Sequence, residues 1–424
     1  MLDLLTYILH SFLLLFLAIK WWQIYSFKNF GLIYCSSLII KILAGILLGL
    51  MYYGYYHTGD TISFFEKSVY ISDIFWHNPV KYLKVVFLNS YDQAFLFAMH
   101  DQAYNIPRTI FFAKILSVLN LITNNNYWLN SIYLSLFSFA ASWKLVYELQ
   151  KLNLGNSTAV VVSFLFVPSV VFWSSGVLKE SMVLGSIYFL LALAIELSQN
   201  DIKNKHFKIL CLAIHLALLF HLKYYLFALI LPIVLSCILF LKIKRYKLWV
   251  RSMAYFVALG LLVWLFTHIY YTLSFEYFMH ELVAYHDQMW IYSIHETQKE
   301  FISISYSYSL VENPYSFVSA VPSATFYGLF SPLPFQAHYP IQLFAATENI
   351  LLIILTAWSL SVFLFKPKIH ILKLNVLLYI FICAFIFGIT TPNWGTLSRY
   401  KIVYLPFFVY IITSNLLNKE GKKD

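Results

Sequence analysis

An all-α bundle of membrane-spanning helices is the fold class this sequence predicts, and three observations predict it. Hydrophobic residues make up 61% of the 424, and mean hydropathy is +0.72. Only 11% of residues are charged, where a soluble domain carries about 25%, so the chain has too little charge to wet a globular surface of its size. The apolar residues also fall into about eleven stretches (roughly 9–13), most of them near the ~20 residues that a helix needs to cross the hydrocarbon. A water-soluble enzyme, a disordered chain and a disulfide scaffold are excluded together.

The stretches run near 3–19, 31–54, 127–147, 158–174, 182–198, 208–221, 225–241, 249–271, 341–364, 374–391 and 401–416. The first has no basic lead and no small-residue cleavage site, so it reads as a retained helix. The sixth and seventh are short and separated only by His221, Leu222 and Lys223, which suits either a tilted pair or a re-entrant hairpin. Cys35, Cys211, Cys237 and Cys383 all lie in apolar stretches and act as small hydrophobes.

Charge sets the expected orientation. With the N-terminus outside, Lys20, Lys28, Lys144, Lys151, the lysines at 203–208, the cluster from Lys242 to Arg251 and the C-terminal lysines gather on the cytoplasmic side. The formal charge of +10 is therefore topology, dispersed between apolar segments, and no basic arm for nucleic acid appears. The chain reads as a single integral membrane domain, 1–424, with two long extracytoplasmic loops, 55–126 and 272–340. Each loop holds amphipathic stretches, Arg108 to Leu121 and Phe275 to Tyr292, suited to the headgroup region. Long loops of this kind usually carry function.

Four stretches carry candidate chemistry. Asp60, in the run Tyr53 to Asp60 after the second span, is placed to take a proton from a sugar hydroxyl, or is simply a Gly-Asp turn. Glu66 would assist it or face water, and Asp92 and Asp101 are weaker candidates in the same loop. In the run Trp173 to Ser181, Gly176 permits close backbone approach, and Lys179 beside a helix start suits an anionic headgroup. The alternative there is a snorkelling lysine with an acidic neighbour, Glu180. His221 and Lys223 sit between two truncated apolar segments, either held at membrane depth, where ionisable groups are expensive, or forming a hairpin's polar tip. Before the last span, Thr391 to Lys401 holds Arg399, one of only four arginines in the chain. An arginine on the outer side suggests forked recognition of phosphate oxygens, with Lys401 beside it; anchoring of the loop to an acidic residue is the other reading.

The dyads His280-Glu281, His286-Asp287 and His295-Glu296 lack HExxH spacing and read as a wet interfacial helix, so no metal site is expected. Glu348 reads as a stabiliser of the ninth span's N-terminus. No Walker A, GxGxxG or GxSxG motif occurs, leaving ATP-driven transport, dinucleotide chemistry and serine hydrolysis unsupported.

With these pieces assembled, the chain resembles bacterial membrane glycosyltransferases of the GT-C superfamily and the neighbouring Wzy-type polysaccharide polymerases. The resemblance rests on Gly59-Asp60, the Ser-Gly-x-x-Lys-Glu turn at 175–180, Lys223-Tyr224-Tyr225 and Gly395 to Lys401. It implies a polyprenyl-phosphate- or diphosphate-linked sugar donor, a glycan or lipid acceptor and catalysis at the outer face of the bacterial cytoplasmic membrane. It further implies Asp60 as base; the residues themselves name no cofactor, and a divalent cation is an option. GT-C members commonly begin with a cytoplasmic N-terminus and pair two acidic residues in the first loop, whereas this chain is expected to begin outside and has no adjacent Asp-Glu pair. That departure leaves the polymerase reading open, where the basic residues dominate. On either reading Lys179, Lys223 and Arg399, with His221 and Lys401, would hold the lipid phosphate. The rivals from other classes are a lipid-linked sugar flippase or transporter, which basic residues deep in several spans would favour, and a structural subunit of an export complex. Lys41 is the basic residue expected within a span.

Overall fold

The computed structural model describes residues 2–99, 106–151, 156–199, 203–242, 246–269, 274, 277, 280–284, 286–287, 314–337, 339–365, 371–391 and 393–417. In chain order the helices are α1 (Leu2–Ile24), α2 (Gly31–Met51), α3 (Asp60–His77), α4 (Pro79–Leu88), α5 (Gln93–Met99), α6 (Ile106–Thr123), α7 (Tyr127–Lys151) and α8 (Ser157–Val161). They continue with α9 (Pro168–Trp173), α10 (Lys179–Leu197), α11 (Lys205–Lys242), α12 (Leu248–Ile269), α13 (Pro314–Phe330), α14 (Pro340–Phe365), α15 (Ile371–Thr390), α16 (Trp394–Lys401) and α17 (Leu405–Leu417). Wider π-type turns extend α2 through Tyr52–Tyr56 and α8 through Val162–Phe166. No strand occurs among the described residues.

Among those residues, five helical segments are long and apolar enough to cross a membrane: Leu5–Ile24, Gly31–Tyr56, Lys179–Leu197, Lys205–Leu235 and Pro340–Leu364. The pair α16 and α17, bent by 62°, makes a sixth if it counts as one span. The protein is therefore membrane-spanning. The described parts of the eleven apolar stretches are mainly helical, but 208–221 and 225–241 share α11 and several others are divided or polar. The stretch 158–174 breaks at Val167-Pro168, because proline removes a backbone donor. Helix α7 carries Lys144, Glu148 and Lys151 in its last two turns.

The described chain packs as two compact units. The first comprises Met1–Tyr147, Val171–Leu190 and Ile209–Phe227, and the second Glu148–Val170, Leu191–Lys208 and Ala228–Asp424. In the first, α1 is tied to α7 by indole donors: Trp21 Nε1 donates to Ala140 O at 3.1 Å and Trp143 Nε1 to Tyr25 O at 2.9 Å. Residues 60–99 and 106–123 form a four-helix subdomain with its own core of Ile71, Tyr82, Val85, Phe95, Met99 and Ile110. A buried polar chain fastens it to α7. Asn130 Nδ2 donates to Asn120 Oδ1 (2.5 Å), and Asn120 Nδ2 donates to Ser68 Oγ (2.8 Å). Buried amides survive because each finds a partner.

This subdomain corrects the expectation for Arg108 to Leu121. That stretch is α6, which turns Ile110, Phe112, Ala113, Leu116 and Ser117 into the core instead of lying on a surface. Most of the subdomain's exposed apolar residues lie on α4 and α5, with Trp76 on α3 and Val118 and Ile122 on α6.

In the second unit, α13 packs along α15 through small residues. A methyl built on Gly328 would land on the carbonyl of Ala384, and one on Gly388 would land on the carbonyl of Ala324. Ala320, Ala324 and Gly328 thus face Ala384 and Gly388 at backbone contact, the small-residue packing that joins helices in lipid. Residues 314–330, expected within the second long loop, are this packed helix. Of the Phe275 to Tyr292 stretch, 280–284 and 286–287 are helical; most of the remainder, with His295, Glu296 and Asp101, lies outside the described residues.

Candidate functional site

The turn Ser174–Leu178 organises the polar centre of the first unit. Gly176 adopts a left-handed φ of +72°, which a side chain would strain, and a Cβ there would stand 3.2 Å from the carbonyl of Gly45. Gly176 N donates to Ser135 Oγ (2.9 Å), and Ser131 Oγ donates to Gly45 O (3.1 Å). From the middle of the α2 span, buried Lys41 donates to Ser174 Oγ and to Val171 O. The turn is thereby held from α2, α7 and α9, and α10 begins directly after it with Lys179 and Glu180.

These two neighbours point to different partners. Lys179, half-buried, donates to Thr109 Oγ1 at the start of α6 (3.0 Å), with its ammonium 4.5 Å from the centroid of the Phe64 ring on α3. Glu180 is 1% exposed and pairs with Lys223 Nζ at 3.1 Å. Arg108, adjacent to Thr109, lies over the ring of Tyr224 at 4.7 Å, and the exposed His221 stacks on Phe111 at 4.7 Å. Three cations from the starts of α6 and α10 and from α11 are thus linked through one set of contacts.

Lys223 corrects the hairpin-tip reading. Two helical segments of α11 meet at a kink here, as the tilted pair requires, with Lys223 at φ −150°, ψ 81°, and the lysine is 6% exposed, which no polar tip in water would be. A break frees backbone groups that are tolerated at membrane depth only inside protein, and the buried ion pair lies at the same place. The snorkelling alternative for Lys179 with Glu180 is likewise replaced, since Glu180 serves Lys223.

Asp60 is the first residue of α3, half-buried, and stands one helical turn before Phe64, on the same face as the ring that carries Lys179. Glu66 is exposed and lies about 120° around the helix from Asp60. It shares the outer stripe of Tyr70, Asp73 and His77, which matches the water-facing alternative for Glu66. Asp92 instead fastens α4 to α5. Lys81 donates to it at 2.6 Å and Phe95 N at 2.8 Å, and the lysine hydrogen bond, followed by the backbone one, holds its carboxyl below the usual range.

Arg399 and Lys401 belong to the second unit. Lys401, 2% exposed, donates to Asn349 Oδ1 (2.7 Å) and Ser331 O (3.3 Å), which anchors α16 to α14 and the end of α13. Arg399 is half-buried, with its guanidinium 5.5 Å from the Tyr400 ring. Glu348 lies eight residues into α14 and does not cap that helix. Its carboxylate accepts from Ser169 N (2.9 Å) and Ser169 Oγ (2.6 Å), in the first turn of α9. Among the described residues no group of three or more His, Cys, Asp or Glu side chains could hold a metal ion.

Sequence reasoning did not place Arg108 or Lys41 at the site. Arg108 was legible as one of four arginines, set directly after Pro107 at a helix start. Lys41 is a charge in the middle of an apolar span, itself a signal of function or of a polar partner. Compared with protein-family models, curated proteins and solved structures, the chain matches none of them.

Proposed function

We propose that this protein is a membrane glycosyltransferase that draws on a polyprenyl-phosphate- or diphosphate-linked sugar at the outer face of a bacterial cytoplasmic membrane. The observation that supports the reading most is the convergence of Arg108, Lys179 and Lys223 through Thr109, Phe64, Tyr224 and Glu180, in a chain with 11% charged residues. Lysine and arginine at helix starts suit an anionic headgroup, because cations and free backbone N–H groups act on the same oxygens. Glu180 already pairs with Lys223, so that lysine adds less to the attraction. In the reaction the acceptor hydroxyl attacks the anomeric carbon as its bond to the lipid phosphate breaks. Asp60 takes the hydroxyl proton, and the cations stabilise the charge left on the phosphate.

The test is transfer by the purified, reconstituted protein from a polyprenyl-linked sugar to a glycan or lipid acceptor. Arg108→Ala and Lys179→Gln should each weaken donor binding about 10–100-fold, the ~1.5–3 kcal/mol of a charged hydrogen bond, and Asp60→Asn should remove turnover while donor still binds. Normal turnover in Asp60→Asn refutes the base, and unchanged donor affinity in both cation variants refutes the site.

One observation favours a second reading. Lys41 and Lys223 are both buried within membrane-spanning helices, which suits a flippase or transporter of the same lipid-linked sugar. That protein would move the donor between leaflets of a proteoliposome and form no glycosidic product.

A further inference from the structure

Helix α4 is apolar on two opposite faces. Tyr82 and Val85 point into the subdomain core, while Val80, Leu83, Phe87 and Leu88 point outward, with Phe87 72% exposed. At 100° per residue the outward set covers one continuous arc, and exposed Lys84 falls within it. Helix α5 repeats the division: Phe95 and Met99 are buried, and Phe97 is 85% exposed beside Leu96. Helix α3 contrasts with both, since its outer stripe is Glu66, Tyr70, Asp73 and His77, with exposed Trp76 beside the end of that stripe. The subdomain therefore has one face made for water and another that is not.

We infer that the α4–α5 face is a lipid-docking surface, seated in the headgroup and upper acyl region of the bilayer that the spans cross. A helix with apolar arcs on two opposite faces needs an apolar medium on each of them. Continuity supplies the medium. The α2 span presents Ile39, Leu43, Leu47 and Leu50 outward, and it ends in Tyr53, Tyr55 and Tyr56, aromatic residues of the kind that settle at a membrane interface. Asp60 at the start of α3 follows Tyr56 by only four positions, at most about 14 Å of chain. The subdomain is thus tethered at the interface. Lys84, inside the apolar arc, has the length to lay its stem along the acyl chains and raise its ammonium to anionic phosphates. Because Phe64 and Thr109 of the same subdomain contact Lys179, docking holds that lysine near the lipid headgroups. The inference stands on the surface itself and is independent of which reaction follows.

The test places the full-length protein, one copy per disc, in nanodiscs of phosphatidylcholine and phosphatidylglycerol. A photoactivatable phosphatidylcholine, with its carbene precursor high on the acyl chain, should label the unmodified protein within 79–99 and leave the Glu66 to His77 stripe unlabelled. A fluorophore on Phe87→Cys or Phe97→Cys, in a background lacking the four native cysteines, should be quenched by shallow-brominated lipids severalfold more than one on Asp73→Cys. Labelling that favours the Glu66 stripe, or equal quenching at all three positions, overturns the inference. Shielding of Phe87 and Phe97 that appears only in discs holding two copies overturns it in favour of a second copy of this chain. The photolabelling arm uses no substitution and so decides the matter even where a cysteine variant fails to fold.

Discussion

Removing one half of the Lys223–Glu180 pair should be far more damaging than removing both. The ammonium and carboxylate are 3.1 Å apart, with side chains 7% and 1% exposed, so neither charge can turn to water when its partner goes. Breaking a buried pair from one side costs about 3–5 kcal/mol, whereas replacing both partners by neutral groups of similar volume is often close to neutral. Glu180→Leu and Lys223→Met should therefore each lower stability by ~3–5 kcal/mol, and the double variant by less than either. The coupling should exceed about 3 kcal/mol, and the cycle cancels the other contacts each side chain makes. A control stands in the same unit. Lys81 and Asp92 are closer, at 2.6 Å, but their side chains are 41% and 50% exposed, so solvent screens them and their coupling should be a small fraction of the buried one. The assay is equilibrium unfolding in mixed micelles, followed by circular dichroism of both single variants and the double. Additive losses at Glu180 and Lys223, or equal coupling in the two cycles, would falsify the claim that burial and not distance gives this pair its strength.

Two further outcomes follow from packing and burial. Gly328→Ala and Gly388→Ala each place a methyl on a carbonyl of the facing helix, so each should lower the midpoint of thermal unfolding through an overpacking cost of about 1–3 kcal/mol; midpoints within error of wild type would mean that α13 and α15 do not meet at backbone contact. Burial pushes the Lys114 ammonium down to about 8, although it donates to Asn89 Oδ1 (2.5 Å) and faces the Tyr91 ring. Its folded value lies below its unfolded value, so the charge opposes folding below pH 8 and the penalty fades as pH rises toward the ordinary lysine range. The stability of Lys114→Met relative to wild type should accordingly be greater at about pH 7 than at about pH 10, and a difference independent of pH contradicts the burial.

The helical class was legible because it depends only on hydropathy and length, and α2, α10 and α14 stand where their apolar stretches do. The division of the chain between span and loop was less legible. Helix α13 contains Pro322 and many small polar residues, so its composition reads as loop; its helicity comes from fitting the small face of α15, a long-range match that hydropathy does not report. Lys223 misled for a related reason. A charge between short apolar runs looks the same whether it tips into water or is buried at a kink, and only the carboxylate that meets it separates the cases. Nothing local in the sequence links Glu180 to a residue 43 positions away. At the candidate site, Gly176 and Lys179 were legible from their own chemistry, since a glycine in a tight turn and a cation at a helix start each declare a need. Arg108 carried a signal in its rarity and its place after Pro107, but nothing local paired it with Tyr224, and Glu66 looked useful only until the helical angle carried it to the opposite face from Phe64.

Lys41 offers the sharpest division between the two proposed readings. It lies in the middle of a span, donating to Ser174 Oγ and the Val171 carbonyl at the end of α9, where the negative end of a helix favours a cation. If the protein transfers a sugar at one face, Lys41 has only to hold the 174–178 turn so that Lys179 projects correctly. A neutral donor of similar reach then suffices, and Lys41→Gln should keep donor affinity while losing some stability. If the protein moves an anionic lipid across the bilayer, the charge itself compensates the phosphate along its route. Lys41→Gln would then abolish movement even though the fold is retained, while Lys41→Arg would preserve it. The two substitutions separate a positioning role from a conducting one, because hydrogen-bonding reach is common to both and positive charge is not.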